Sequence, residues 1–163
     1  MVVINRYQMK RGYGKKYYIR NGEVIACPIC GGSLEVIGSR KRKPIAGGGK
    51  VITLIIRRLR CKTCRKIHHE LPDIVMPYKR HCTKTIEKII ASEATEEVIC
   101  EESTIRRIKA WWAAYRQYFE SILTSLGEKY GVIFAANPKP REVVRAVANA
   151  NLWIHTRSAF LSG

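Results

Sequence analysis

The sequence predicts an α+β fold in two parts, a small β-sheet module followed by an all-α module, on three observations. Two Cys-x2-Cys pairs, Cys27/Cys30 and Cys61/Cys64, stand with thirty residues between them. The stretch they enclose alternates apolar and polar residues about a glycine triplet, the pattern of two paired strands. Past residue 82 the apolar residues recur every three or four positions, the period of a helix. Together these describe a small zinc-ribbon β-sheet module followed by an all-α helix-turn-helix module.

With 163 residues, the chain suits one medium domain or two small ones. Its 46% hydrophobic and 26% charged residues exclude a disordered chain, and no apolar run is long enough to span a bilayer. The N-terminus lacks the apolar core of a signal peptide, so a cytoplasmic, reducing location is expected. There, paired cysteines bind metal rather than form disulfides. The net charge of +17 is unevenly spread. Residues 1–80 hold 19 Lys+Arg and 4 acids, whereas residues 81–163 hold 11 and 9. The expected divisions are a basic, aromatic N-terminal hairpin or arm (1–26), the zinc ribbon (27–80) and the helix-turn-helix with C-terminal helices (81–163).

Each element has its own signal. Residues 17–25 read as a hairpin, because Asn21-Gly22 favours a type I′ turn. A short strand over 33–38 leads to the tetrabasic run Arg40-Lys41-Arg42-Lys43, the Gly47–Gly49 turn and a strand over 50–60. Residues 66–71 form a third short strand, and Pro72 and Pro77 mark the exit. A helix over 83–91 follows, then a loop or short helix around 94–100. The longest helix opens at Ser103 with Ile105, Ile108, Trp112, Tyr115, Phe119, Ile122, Leu123 and Leu126 on one face, and Gly127 is its expected stop. A last helix starts near Pro140 and runs toward Gly163.

The cysteines carry the sharpest chemistry. A CxxC turn lets two thiolates converge on one ion, and two such turns at the ends of a strand pair complete the tetrahedron that Zn²⁺ prefers. Cys27, Cys30, Cys61 and Cys64 are therefore expected to hold one structural zinc per chain. Cys82 and Cys100 fall outside the pattern and read as small buried hydrophobes. His68 and His69, on a strand, should face opposite ways, and their position after the second knuckle does not fit a ββα-metal nuclease.

Arg40, Lys41, Arg42, Lys43, Arg57, Arg58, Arg60 and Lys62 crowd the same framework with almost no acid among them. Such self-repulsion is tolerable where a polyanion neutralises it, and the affinity would then fall with salt. In the helical half, Ser103, Thr104, Arg106, Arg107 and Lys109 occupy the first turns of the longest helix, where a recognition helix meets the major groove. Asp73 is the only aspartate, the other twelve acids being glutamates. Enzymes that cut nucleic acid with paired metals gather several carboxylates, so binding without catalysis is expected.

The segments CPICGGSLEVIGSRKRK, LIIRRLRCKTCRKIHHELPDIVMPYKRH and ESTIRRIKAWW resemble a family of Gram-positive bacterial proteins described as a domain of unknown function and encoded beside transposase genes. The segment from Cys61 to Arg80 is also similar to the N-terminal zinc ribbons of insertion-sequence transposases, where a helix-turn-helix follows. The resemblance covers about residues 27–112, and NLWIHTRSAFLSG fits the same family. It implies a ribbon plus helix-turn-helix with Cys27, Cys30, Cys61 and Cys64 as the metal positions. A catalytic domain is not expected, because one aspartate cannot supply a DDE triad. The expected function is a non-catalytic, zinc-dependent protein that binds double-stranded DNA. It would be nucleoid-associated and would serve a mobile element as a transposition accessory or regulatory factor. RNA binding, or an adaptor that docks a transposase, is the alternative.

Overall fold

The computed structural model of the protein describes residues 1–92, 98–135 and 137–154. Six strands, β1 (Val2–Ile4), β2 (Tyr7–Arg11), β3 (Lys16–Asn21), β4 (Leu34–Arg42), β5 (Thr53–Cys61) and β6 (Ile67–Pro72), precede three helices. These are α1 (Thr83–Ile90), α2 (Glu102–Tyr130) and α3 (Pro140–Asn149).

Strand β5 is the hub, because Leu54, Ile55, Ile56 and Leu59 suit an extended, half-buried strand and both its edges are used. β4 pairs antiparallel with it from Leu34↔Cys61 to Arg42↔Leu54, with a bulge between Val36 and Gly38. The other edge is shared: β3 runs parallel to Thr53–Ile55, and β6 runs antiparallel to Arg58–Arg60. β2 extends β3, and β1 lies parallel to β6 with Val2 opposite Glu70. The result is one mixed sheet that curls into a nearly closed barrel.

This sheet overturns the predicted fold class. The strand pair between the two CxxC turns is present, but it is part of a six-stranded sheet rather than a free-standing ribbon module. No helix-turn-helix module exists among the described residues: α1, α2 and α3 each pack against the other two, and residues 98–100 are not helical. The middle helix expected around 94–100 falls largely on 93–97, outside the described residues. The physical reason is non-local pairing. β1 is only three residues long and pairs with a strand more than sixty residues away, which no local pattern reveals.

One apolar cluster joins strands and helices. Ile4, Ile19, Leu54 and Ile56 meet Ile86 and Ile89 of α1, Ile108, Phe119 and Leu123 of α2, and Val143, Val144 and Val147 of α3. In α2 the indole buried most deeply is Trp111, at the rim of the predicted stripe, rather than Trp112. Trp111 meets Phe119 edge-on at 6.0 Å, and Trp153 stacks on Phe119 at 5.6 Å. The Lys79 ammonium lies 4.0 Å over Trp111, where burial lowers its pKa to about 8.

Three local expectations also change. The first hairpin turns at Gly14 and Lys15, both at positive φ, and not at Asn21-Gly22. Asn21 instead gives its amide to Glu70 and accepts the Glu23 N–H. α2 passes through Gly127 and stops at Gly131 (φ 67°). Gly127 is needed for space: a Cβ there would come within 2.7 Å of the Val132 carbonyl oxygen as the chain folds back. α3 ends at Asn149, and residues 155–163 lie outside the described part.

Asn149 shows how the last helix is fastened to the first strand. β1 has a free edge, whose polar groups need partners. The Asn149 side chain supplies both, accepting the Val3 N–H at 2.7 Å and donating to the Val3 carbonyl at 2.9 Å. Asn149→Ala is expected to lower stability by about 1–3 kcal/mol, with an unchanged denaturant m-value, measured by urea unfolding.

Candidate functional site

The two CxxC turns are built alike. In the first, the Cys27 N–H bonds the Gly32 carbonyl at 2.9 Å and the Gly31 N–H bonds the Cys27 carbonyl at 2.8 Å. In the second, the Cys61 N–H bonds the Lys66 carbonyl and the Arg65 N–H bonds the Cys61 carbonyl, at 2.9 and 3.1 Å. Each turn needs a left-handed residue at its fourth step. Gly31 (φ 72°) supplies it freely, whereas Arg65 (φ 61°) adopts it at a cost. Gly32 sits where the turns meet: a Cβ would stand 2.5 Å from the Thr63 hydroxyl and 3.1 Å from the Cys61 sulfur.

The register Leu34↔Cys61 and the Lys62 N–H bond to the Ser33 carbonyl bring the second turn beside the first. All four sulfurs then lie within 4.8 Å of one another. Cys27 is 3.7 Å from Cys64, and Cys30 is 3.5 Å from Cys61. This quartet could hold a metal ion, and it is the only such His/Cys/Asp/Glu group among the described residues. Burial works against a Cys61 thiolate, but N–H groups of Cys64 and Thr63 and the neighbouring thiols bring it down to about 6.

His68 belongs to this site, a role the sequence reading left open. It is opposite Leu59 on β5, and its Nε2 lies 3.3 Å from the Cys27 sulfur while Nδ1 lies 3.3 Å from the Met1 nitrogen. Strand alternation did place His68 and His69 on opposite faces. What was missing was the pairing of β6 with β5, which sets His68 above the quartet. Cys82 is buried, and burial raises its thiol pKa. Cys100 is half-buried, 3.6 Å from His81 Nε2.

The predicted basic residues are sorted by the pleat. Arg40 and Arg42 on β4 share a face with Arg58 on β5, and His69 of β6 stands opposite Arg58. Burial and these neighbours hold His69 below the ordinary imidazole range: Arg40 and Arg58 first, then the Met1 nitrogen and Arg42. Arg42 is likewise lowered, by burial and then by Arg40. Lys41 and Arg57 point to the other face, where Arg57 grips Glu70 through two bonds of 2.6 and 2.7 Å. Arg60 stands opposite Glu35, and Lys43 and Lys62 are exposed beyond the paired strands. Sequence crowding therefore overstated the cluster: Arg40, Arg42, Arg58 and His69 gather on one face, and Arg60, farther along that face, stands opposite Glu35.

The helical candidates lie at the start of α2. Ser103, Arg106, Arg107 and Lys109 are exposed and Thr104 is half-buried. Arg107 bonds the Ser103 carbonyl, Lys109 bonds the Ser92 hydroxyl, and Arg106 pairs loosely with Glu102 at 3.7 Å. The lone aspartate is also engaged. Asp73 accepts the Tyr7 hydroxyl at 3.0 Å, stands 3.9 Å from Arg141 and lends its carbonyl to Thr83, tying β2, α1 and α3 together.

A family model described as Domain of unknown function (DUF6431) matches residues 27–108. No curated protein and no solved structure matches the chain. No helix among the described residues is long and apolar enough to cross a membrane.

Two outcomes follow from this geometry. Gly31→Ala should cost about 1 kcal/mol while Arg65→Gly should be neutral or stabilising, because only the first replaces a glycine at positive φ; paired thermal melts check the opposite signs. His69 is depressed in the folded state, so the unfolded chain takes up more protons as pH falls from about 6.5. The protein should lose stability on acidification through that window and plateau below the folded pKa. His69→Gln should flatten part of the slope in urea unfolding at stepped pH.

Proposed function

We propose that this chain, which belongs to the family described as Domain of unknown function (DUF6431), is a non-catalytic, zinc-dependent DNA-binding protein that serves a bacterial mobile element as a transposition accessory or regulatory factor. Four thiolates within 4.8 Å suit zinc, and a full set of four leaves no open position for a substrate, which favours a structural ion. Zinc would lock the end of the β4–β5 pair and so fix the strands that carry the arginines. The link to a mobile element rests on the likeness of the segment from Cys61 to Arg80 to transposase ribbons, and of residues 27–112 to a family encoded beside transposase genes.

The observation that carries DNA binding is the Arg40, Arg42, Arg58 and His69 face. After burial, Arg40 lowers the Arg42 pKa, and Arg40, Arg58 and Arg42 add to the burial that lowers His69, while Glu70 is committed to Arg57 on the opposite face. A row of phosphates would relieve that repulsion and release counterions. The exposed first turns of α2 add Arg106 and Arg107, whose charge suits phosphate contact, beside Glu101 and Glu102, which open the helix. Read this way, both elements grip the backbone of a duplex. The commitment of Asp73 and Glu70 to structural partners supports the absence of a catalytic role.

Metal analysis of gently purified protein should find about one zinc per chain, and removal of the metal should unfold the β4–β5 end. Duplex DNA should bind with a steep salt dependence. The Arg40→Ala/Arg42→Ala/Arg58→Ala variant should weaken it and flatten the log–log salt slope by about 2–3. A variant with unchanged duplex affinity and slope would overturn the DNA reading. Single-stranded RNA that outcompetes duplex for these arginines would replace it with the RNA alternative.

A further inference from the structure

The opposite face of the sheet carries a groove that the duplex-facing arginines do not reach. It exists because β5 changes partners. β3 leaves β5 after the Tyr18↔Ile55 pair and β6 joins only at Arg58, so the backbone ladder has a gap. The gap opens into a cavity of about 520 Å³, within the range of small-ligand sites. Lys10, Arg20 and Arg57 line it, and the carboxylate next to it, Glu70, is buried behind Arg57 and Asn21, which it engages.

Alternation decides which side chains meet there. Tyr18 shares a face with Lys10 on β2 and with Ile55 on β5. Tyr18 is 46% exposed, and one edge of its ring lies against the bare backbone of Gly12, where a Cβ would come within 2.5 Å of it. Arg57 is fixed, since Glu70 takes its Nε and one terminal nitrogen. An exposed aromatic surface, an apolar neighbour in Ile55 and a rim of cations are what a nucleobase with its phosphate recognises. Groups already held lose little freedom on binding.

We propose that this groove binds one nucleotide of an unpaired DNA strand, its base stacked on Tyr18 and its phosphate between Lys10 and Arg20, with Arg57 as a fixed donor. This rests on the nucleic-acid reading above but assigns a different strand to a different face.

The zinc-loaded full chain would be titrated with labelled oligothymidylate of about twelve nucleotides and with a duplex of equal length. Tyr18→Ala should weaken the single strand about ten-fold, and Tyr18→Phe should leave it within about two-fold. Lys10→Ala/Arg20→Ala should flatten its salt slope by about 1–2. None of these should alter duplex binding, and the Arg40/Arg42/Arg58 triple variant should keep its single-strand affinity. An oligonucleotide with 5-iodouracil should crosslink to Tyr18, identified by peptide mass spectrometry. Loss of zinc or a lowered melting temperature in Tyr18→Ala would pass the decision to the exposed Lys10/Arg20 pair. Absent single-strand binding, unchanged affinity in the variants, or crosslinks away from Tyr18 would overturn the groove while leaving the duplex reading intact. Thymidine monophosphate competing as well as the strand would also overturn it, in favour of a free nucleotide.

Discussion

The buried carboxylate of Glu70 is the constraint around which this sheet is arranged. Glu70 is fully buried, and an uncompensated charge in that position would cost several kcal/mol. Arg57 of β5 and Asn21 of β3 come from two different strands to satisfy it, and Glu70 itself lies on the strand that pairs with β1. The cluster therefore sits at the gap where β5 exchanges β3 for β6 and that edge of β5 has no strand partner. Removing one partner would leave a buried charge where β3, β5 and β6 meet.

From that junction the two ends of β5 acquire different tasks. Toward Cys61 the strand delivers the second cysteine turn to the first, and the sulfurs converge because the β4 register sets Leu34 opposite Cys61. Toward Thr53 the strand's buried residues, Leu54 and Ile56, enter the core beneath the helices. Between them the pleat separates the cations. Arg58 joins Arg40 and Arg42 on one face, while Arg57 joins Tyr18 and Lys10 on the other. Two adjacent arginines in the sequence thus have unrelated surroundings.

The metal-capable quartet was legible from spacing alone, since a CxxC turn is a local object and its geometry follows from four residues. The opposed faces of His68 and His69 were legible for the same reason. The contact of His68 with Cys27 was not, because it depends on which strand lies beside β5. The tetrabasic run looked like one cluster, yet strand geometry sends Lys41 away from Arg40 and Arg42. Trp111 was missed because it lies just outside the ideal helical stripe, and Trp153 folds back from beyond α3 to draw it into the core.

Local patterns along the chain were enough to read the cysteine turns, the span of β4 and β5 to within a few residues, the amphipathic helices and the surplus of positive charge. Each of these is set by neighbours within about a turn or a strand length. That these pieces form one mixed sheet with helices on a shared core, in place of a ribbon followed by a helix-turn-helix, emerges from packing across the whole chain. That outcome turns on contacts that skip most of the chain: β1 beside β6, Asn149 on Val3, Arg57 and Asn21 on Glu70. Such contacts are chosen by the need to pair a free strand edge and neutralise a buried charge, and no local periodicity encodes which distant residue answers it.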